Sequence, residues 1–352
     1  MIELLPFLTE LISAPGISGY ETGVRPIIEK AWEPLTDQLN VSRLGSLHGL
    51  QKGVGNEPRP SIMVATHMDA IGLMVNAIID GFLRVVAIGG IDVRVLPGQM
   101  VTVHGRQDLP GMIVPTPARF LPTRVQGGII PLEYLLVDVG LLPDDVSRLV
   151  RVGDPISFDL APLETGGETL VGHTLDNRAS VAALTNILEI LHSRPHIWDV
   201  WAVATVQEEI TYGGGLTSAF QLRPSLCIAI DVTFGSEPSS PSHLTFPLGK
   251  GPTLMWGPVV HPFLYKTFKE LSERHEIPIS VEPAPRYSST DSDAMQIVAE
   301  GIPNVVIGIP LRYMHTPVEM IALKDISRAG RLVAEFIAQL DEKFMQRLTW
   351  DE

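Results

Sequence analysis

Residues 61–72 read SIMVATHMDAIG, and this stretch indicates how the fold presents its polar groups. An apolar run at 61–66 leads directly into His67, Met68 and Asp69. A buried strand that ends in polar side chains is how open α/β sheets expose a site at their carboxyl edge. The stretch therefore predicts the central sheet of an α/β protein, with functional side chains where this strand ends.

The sequence on both sides of this strand alternates between helical and strand patterns, as an α/β domain requires. Helical spacing predicts helices at 3–13, 24–39, 177–193, 214–221, 261–275, 291–300 and 323–347. Apolar runs predict further strands at 199–206, 226–232 and 304–309.

The segment between the two parts of this pattern has a different distribution of apolar residues, glycine and proline. Between residues 70 and 162, short β-like runs alternate with Gly and Pro, and helical periodicity is scarce apart from 143–150. Such punctuation is typical of a small β domain. We therefore predict a discontinuous catalytic α/β domain, 1–69 and 162–352, interrupted by a β domain at 70–161. For the inserted domain we expect a role in oligomerisation and substrate access.

Composition excludes several classes of protein. Among 352 residues, 26 Lys and Arg face 40 Asp and Glu, a formal charge of −14, which disfavours binding to nucleic acid. Cys227 is the single cysteine, so an internal disulfide or a cysteine-rich zinc site is impossible. No apolar run approaches the roughly 18 residues that a membrane helix needs. We expect a soluble, cytoplasmic protein without membrane contacts.

Polar side chains follow the predicted strands at four places: THMDAIG (66–72), QEE (207–209), IAIDVT (228–233) and YMHTPVE (313–319). A fifth polar segment, GHTLDNR (172–178), lies where the inserted β domain gives way to a helix. Each has an ordinary explanation by itself: Asp176 could cap the following helix, and a single histidine is usually structural. Together, however, His, Asp and Glu side chains form the set that binds Zn²⁺, Co²⁺ or Mn²⁺. The combination predicts a site for one or two divalent cations.

The motifs HMDAIG, LDNRAS, TVQEEI, IAIDVT, TDSDA and HTPVEM occur in the order and rough spacing of a known family. Over nearly the whole chain the sequence resembles the dinuclear, co-catalytic zinc metallopeptidases of the glutamyl or tetrahedral aminopeptidase family. The resemblance implies a phosphorylase/peptidase-like α/β/α sandwich with an inserted, small β-barrel-like domain. It also implies two divalent metal ions per subunit, with zinc favoured over cobalt or manganese, and a dimer-based, possibly dodecameric homo-oligomer.

The resemblance assigns metal ligands position by position. His67 and Asp231 would complete one metal site, and Glu209 and His315 the other. Asp176 would bridge the two ions. The peptide bond between Asp176 and Asn177 would be cis.

Two further residues receive catalytic roles from the resemblance. Glu208 would be the general base, and Asp69 would hydrogen-bond the ligand His67 and fix its tautomer. Consecutive side chains alternate along a strand, so Glu208 and Glu209 can reach one site only if the backbone turns at the strand end. The implied reaction removes N-terminal residues from peptides: a hydroxide bridging the metals attacks the carbonyl, and Glu208 moves the proton to the leaving amine.

Some alternatives stay open at this point. A related dinuclear carboxypeptidase or N-deacylase is the nearest alternative, followed by a non-catalytic scaffold or a glycoside hydrolase, which also uses paired carboxylates. Ala70 stands where many relatives carry an acid, and either Asp291 or Asp293 matches the TDA-type segment of the family. Arg178 and Arg312 are candidates for substrate or subunit contacts. The residues that select the substrate side chain are not predicted.

Overall fold

The computed structural model describes residues 2–166, 168–238 and 240–350. The helices are α1 (Leu4–Ser13), α2 (Arg25–Trp32), α3 (Pro143–Leu149), α4 (Leu175–His192), α5 (Glu208–Thr211), α6 (Gly213–Leu222), α7 (Pro262–Arg274), α8 (Asp291–Met295), α9 (Leu323–Ala338) and α10 (Phe344–Arg347). The strands are β1 (Gln38–Val41), β2 (Leu47–Gln51), β3 (Ser61–His67), β4 (Gly72–Ile79), β5 (Phe82–Ile88), β6 (Met100–His104), β7 (Asp108–Pro115), β8 (Leu135–Asp138), β9 (Pro155–Phe158), β10 (Leu163–Thr165), β11 (Thr169–Gly172), β12 (Asp199–Thr205), β13 (Leu226–Phe234), β14 (Thr253–Trp256), β15 (Ser280–Pro283), β16 (Asn304–Arg312) and β17 (Glu319–Ala322).

A large mixed sheet forms the first layer, in the order β1-β2-β12-β3-β13-β16-β17-β11-β10, with β14 joining β16 and β15 joining β14. Its central strands β12, β3, β13 and β16 run parallel. These strands are buried at nearly every position, because helices such as α4 and α9 pack against them. Their continuous Val, Ile and Ala runs are the pattern expected for strands covered on both faces.

The segment between β3 and β10 forms a closed antiparallel barrel, in the order β4-β5-β8-β7-β6-β9. Its strands alternate buried and exposed residues, most regularly in β7. The inward side chains, among them Leu73, Val101, Val137 and Ile156, form a hydrophobic core distinct from that of the sheet. The predicted fold class, an α/β domain with an inserted β-barrel, is therefore confirmed.

Several helices are shorter than their patterns predict. The helix predicted at 24–39 ends at Trp32, and a 3₁₀ turn (Glu33–Leu35) containing Pro34 leads into β1. The helix predicted at 323–347 ends at Ala338, and Asp341 accepts a hydrogen bond from the Lys343 amide, a local turn that competes with helix. The helix predicted at 291–300 stops at Met295. Within the described residues, no helix is both long and apolar enough to cross a membrane.

Candidate metal centre

The parallel strands bring their carboxyl ends to one edge of the sheet, and the predicted donors collect there. His67 ends β3, and it lies opposite Thr205, the last residue of β12. Asp231 lies on the neighbouring strand β13, and Glu208 and Glu209 begin the short helix α5 just after β12. Donors far apart in sequence thus become neighbours through strand register alone.

Asp176 and His315 complete the cluster from the adjoining connections. Asp176 lies at the start of α4, where the expected cis peptide bond to Asn177 is present. His315 follows β16 and has a left-handed backbone with φ 62°. The five ligands and the base predicted from the sequence therefore all reach one site.

The carboxylate of Asp176 lies between the two imidazoles. Its Oδ1 is 3.2 Å from Nε2 of His67, and its Oδ2 is 3.5 Å from Nε2 of His315. On the first side, Asp231 Oδ1 lies 3.5 Å from His67 Nε2, and on the second side Glu209 Oε2 lies 3.6 Å from His315 Nε2. One carboxylate that offers each oxygen to a different histidine is suited to bridge two cations.

The donors form two groups, and within each group the ligand atoms lie within 4.8 Å of one another. The groups are His67, Glu208 and Asp231, and Asp176, Glu209 and His315. Glu208 therefore lies close enough to act either as a ligand of the first group or as a base beside it, with Oε2 at 3.7 Å from His67 Nε2.

A backbone turn just before the two consecutive glutamates ends the strand alternation and lets both side chains reach the site. Gln207 adopts a left-handed conformation, φ 59° and ψ 28°, at the end of β12. After this turn, Glu208 faces His67, whereas Glu209 faces His315. The carboxylate of Asp69 fixes the turn, because its oxygens accept hydrogen bonds from the amides of Glu208 at 3.0 Å and Glu209 at 3.2 Å.

Asp69 contacts His67 Nδ1, and its backbone carbonyl lies closer to that atom than its carboxylate does. The His67 Nδ1 atom lies 3.1 Å from the backbone carbonyl of Asp69, but 3.7 Å from its carboxylate. A carbonyl acceptor places the proton of neutral His67 on Nδ1 and leaves Nε2 free to bind a cation. The tautomer is thus fixed by the backbone of Asp69, while its side chain orients the two glutamates.

Buried carboxylic groups are stable only if they keep their protons or are paired with positive charge. The buried carboxylic residues around the cluster are Asp69, Asp176, Glu208, Asp231, Asp291 and Glu319. Burial raises the pKa of Glu208 well above its usual range, and the His67 charge offsets only part of this. Burial and the nearby Asp176 carboxylate likewise raise the pKa of Glu209. Burial alone would lower the pKa of His67, but Glu208 and Asp231 raise it well above its usual range.

Divalent cations fit this donor set. Each group offers imidazole nitrogen and carboxylate oxygen, the combination that Zn²⁺, Co²⁺ and Mn²⁺ accept. Carboxylates that otherwise retain protons would release them as the cations bind.

Sequence reasoning missed the role of Glu319. This buried residue of the HTPVE motif accepts hydrogen bonds from the backbone amides of Asp176 at 3.0 Å and His315 at 3.2 Å. One carboxylate therefore ties together the bridging and second-site ligands. Its place four residues after His315 in a strand-end motif was the available signal, but nothing in the sequence identifies backbone amides as its partners.

Asp291 and Asp293, the two candidates for the TDA-type segment, make different contacts. Asp291 is buried beside Thr205, whose hydroxyl donates to it, and burial raises its pKa to about 7. Asp293 instead accepts from the backbone amides of Ser288 and Ser289, each at 2.8 Å, and so shapes the loop beside the centre.

Arg178 is not a substrate contact. Its guanidinium is fully buried and donates to backbone carbonyls of Leu11 at 2.6 Å, Met68 at 3.3 Å and Ala14. Burial lowers the pKa of Arg178 to about 9, partly opposed by Asp69 and Glu319. This residue therefore joins the N-terminal helix to the edge of the sheet that holds the donors.

A cavity of about 240 Å³ adjoins the donor cluster. It is bounded on one side by His67, Asp176, Glu208, Asp231 and His315. The rest of the lining includes the apolar Phe234, Met255, Val306 and Met314, the hydroxyl residues Thr233, Ser288, Ser289 and Thr290, and the acidic Glu282. The centre is therefore accessible through a pocket of the size of one amino-acid side chain.

Comparison with known proteins gives a consistent result. The sequence pattern described as M42 glutamyl aminopeptidase matches residues 45–332. The lysyl aminopeptidase of Pyrococcus furiosus is 34% identical over 341 residues, which cover 95% of this chain and 96% of that protein.

Solved structures agree over the same length. The TET aminopeptidase from the marine sediment archaeon Thaumarchaeota archaeon SCGC AB-539-E09 superposes with a TM-score of 0.92 at 28% identity, covering 98% of this chain and 99% of that one. The TET1 peptidase of Pyrococcus horikoshii, which can assemble into a tetrahedron or a large octahedral shell, has a TM-score of 0.84 at 27% identity, covering 96% of this chain and 100% of that one.

Proposed function

This chain belongs to the M42 family of glutamyl aminopeptidases, and we propose that it removes N-terminal residues from peptides with two divalent cations at the described cluster. The observation that supports two cations is the position of Asp176, whose oxygens face His67 and His315 separately. With Asp231 on the first side and Glu209 on the second, each cation would have an imidazole, its own carboxylate and a share of the bridge. Zinc is the preferred ion, and cobalt or manganese would suit the same donors.

Divalent cations held by His67, Asp176, Glu209, Asp231 and His315 would supply Lewis-acid chemistry, which would activate the scissile carbonyl and make a water molecule easier to deprotonate. The protein supplies the proton transfer. Glu208 takes a proton from the attacking water and returns it to the leaving amine. Glu208 lines the cavity and its Oε2 lies 3.7 Å from His67 Nε2, so it is placed beside the donors where this proton would be transferred.

Other residues position these groups. In our proposal the Asp69 carboxylate acts through the turn that separates Glu208 from Glu209, and the Asp69 carbonyl orients His67. Glu319 performs the same task for Asp176 and His315. Free α-amino groups of substrates would be recognised at the metal pair, which explains why a peptide with a blocked N-terminus should not be cleaved.

The assembly and location are proposed by similarity. Since the TET1 peptidase of Pyrococcus horikoshii can assemble into a tetrahedron or a large octahedral shell, we propose that this chain forms a homo-oligomer of twelve subunits, built from dimers, in the cytoplasm. The barrel inserted at residues 70–161 would contribute to assembly and to control of substrate access. Light scattering tests the assembly, and a stable monomer would contradict it.

The decisive experiment compares aminoacyl-p-nitroanilides with their N-acetylated counterparts, in the presence of Zn²⁺, Co²⁺ or Mn²⁺ and then with a chelator. We expect cleavage only of the free-amine compounds, abolished by the chelator and restored by metal. Cleavage of acetylated compounds or of C-terminal residues would instead indicate the N-deacylase or carboxypeptidase alternative. Protein that binds no metal would contradict the proposed site, and hydrolysis of a soluble cellulose derivative would support the glycosidase alternative.

A further inference from the structure

The lining of the cavity beside the metal centre includes an acidic group, Glu282, together with apolar side chains such as Met255 and Val306. Glu282 lies on β15, next to β14, and its side chain reaches across to β13. Its Oε1 accepts a hydrogen bond from the Thr233 hydroxyl at 2.7 Å, and its Oε2 accepts from the Thr253 hydroxyl. The carboxylate is therefore held in one position by two buried donors.

Gly308 allows the groups that hold this carboxylate to pack closely against β16. A Cβ atom at that position would lie 2.3 Å from the Thr253 hydroxyl and 3.0 Å from Glu282 Oε2. Any side chain there would displace Thr253 and, with it, the carboxylate that Thr253 holds. The glycine therefore helps to keep Glu282 in its position at the cavity lining.

Glu282 has no positive partner within the described part of the chain. The groups that set its electrostatic surroundings are Thr253, Thr233 and Asp231, none of them cationic. A carboxylate offers about four acceptor positions, and the two threonines fill only part of them. A cation entering the cavity would meet an oriented acceptor that is otherwise without a counter-ion.

The position of this acceptor matches the reach of a long side chain. Thr233 lies two residues beyond the donor Asp231 on β13, so both side chains point to the same face, roughly 7 Å apart along the strand. A substrate whose α-amine is bound at the donor cluster would extend its side chain past Met255 and Val306 toward Glu282. Methylene groups pack well against such apolar walls while the charged end remains paired.

We propose that Glu282 is the specificity-determining acceptor for the side-chain cation of a basic N-terminal residue, lysine or arginine. The inference rests on the proposed aminopeptidase function, because it takes the free amine to bind at the metal pair. Glu282 takes no part in bond cleavage: it selects which residue is removed.

The test measures kcat/KM for lysyl, arginyl, norleucyl and glutamyl p-nitroanilides with wild type, Glu282→Gln and the exposed-site control Glu33→Gln. Norleucine keeps the stem of lysine but lacks the ammonium group, so it isolates the charged contact. Wild type should prefer lysine and arginine to norleucine by about tenfold or more. In Glu282→Gln the lysine-to-norleucine ratio should fall by about 10- to 100-fold, since a charged hydrogen bond is replaced by a neutral one. Norleucyl cleavage should stay within about threefold of wild type, and Glu33→Gln should match wild type on every substrate.

Equal cleavage of lysyl and norleucyl substrates by wild type would overturn the proposal and leave the aminopeptidase function intact. A parallel loss of both activities in Glu282→Gln would also overturn it, because it would indicate a purely structural role. Equilibrium binding of L-lysine and L-norleucine to wild type, measured by calorimetry, requires neither turnover nor a folded variant. Tighter binding of lysine would support the charged contact, and equal binding would refute it even if no substrate were cleaved.

Discussion

Replacing Glu208 by Gln keeps the size and shape of the side chain but removes its ability to accept a proton. The backbone amide of residue 208 still donates to Asp69, and the side chain lies 3.7 Å from His67 Nε2, too far for a hydrogen bond that the change could break. We therefore expect Glu208→Gln to fold and to retain its metal. Loss of general base catalysis should lower kcat/KM by about 10²- to 10⁴-fold, which is about 2.7–5.5 kcal/mol of transition-state stabilisation.

Glu209→Gln is the matched control, since it makes the same chemical change one residue away. Glu209 shares its donor group with Asp176 and His315, so this variant should lose metal as well as activity. Metal content is measured by inductively coupled plasma mass spectrometry, and turnover with a free-amine p-nitroanilide. If Glu208→Gln kept more than a few per cent of wild-type turnover, the assignment of the base would be wrong. If it lost metal as Glu209→Gln does, Glu208 would be a ligand.

Removal of metal should destabilise the protein increasingly as pH rises. Because the pKa values of Glu208 and Glu209 are raised in the folded apo protein, it holds protons that the unfolded chain releases above about pH 4.5, and its stability falls above that pH. Thermal melts of apo and metal-loaded protein at several pH values check this. Asp69→Asn should lower the free energy of unfolding by about 1–3 kcal/mol and reduce kcat, because one of the Glu208 and Glu209 amides loses its acceptor. Urea unfolding measures the first effect and steady-state kinetics the second, and an unchanged kcat would contradict the positioning role. Arg178→Met should cost about 3 kcal/mol or more in the same unfolding assay, because it leaves buried carbonyls without donors, and a neutral result would refute the structural role. Cys227 should resist iodoacetamide until the protein unfolds, because burial raises the pKa of its thiol; rapid labelling of the native protein, followed by mass spectrometry, would contradict this.

The fold was largely predictable from two sequence patterns. The strands of the sheet are short apolar runs, and in the barrel segment short β-like runs alternate with Gly and Pro, as in a small β domain. The ends of β3, β12 and β13 could be located from sequence, so the meeting of His67, Glu208 and Asp231 at one edge followed from parallel strand order. Hydrogen-bond partners on the backbone were not predictable in this way. That His67 pairs with a carbonyl, and that Glu319 binds two amides, depends on the local course of loops that side-chain patterns do not encode.

Arg178 illustrates a second limit. Arginine is seldom fully buried, and Arg178 was predicted as a candidate for substrate or subunit contacts. The structure instead surrounds it with carbonyl groups at the end of α1, an arrangement that exists only once the N-terminal helix packs against the sheet. Contacts between distant segments decide its role.

The spread of the donors along the chain has a consequence for biosynthesis. The first donor, His67, precedes the whole barrel, while the last, His315, follows β16 near the other end of the chain. A chain still on the ribosome has the first histidine but lacks the second until nearly all strands of the sheet have been synthesised. A fragment that ends early lacks the second histidine altogether. The donor set of the second group is therefore complete only when translation has passed His315.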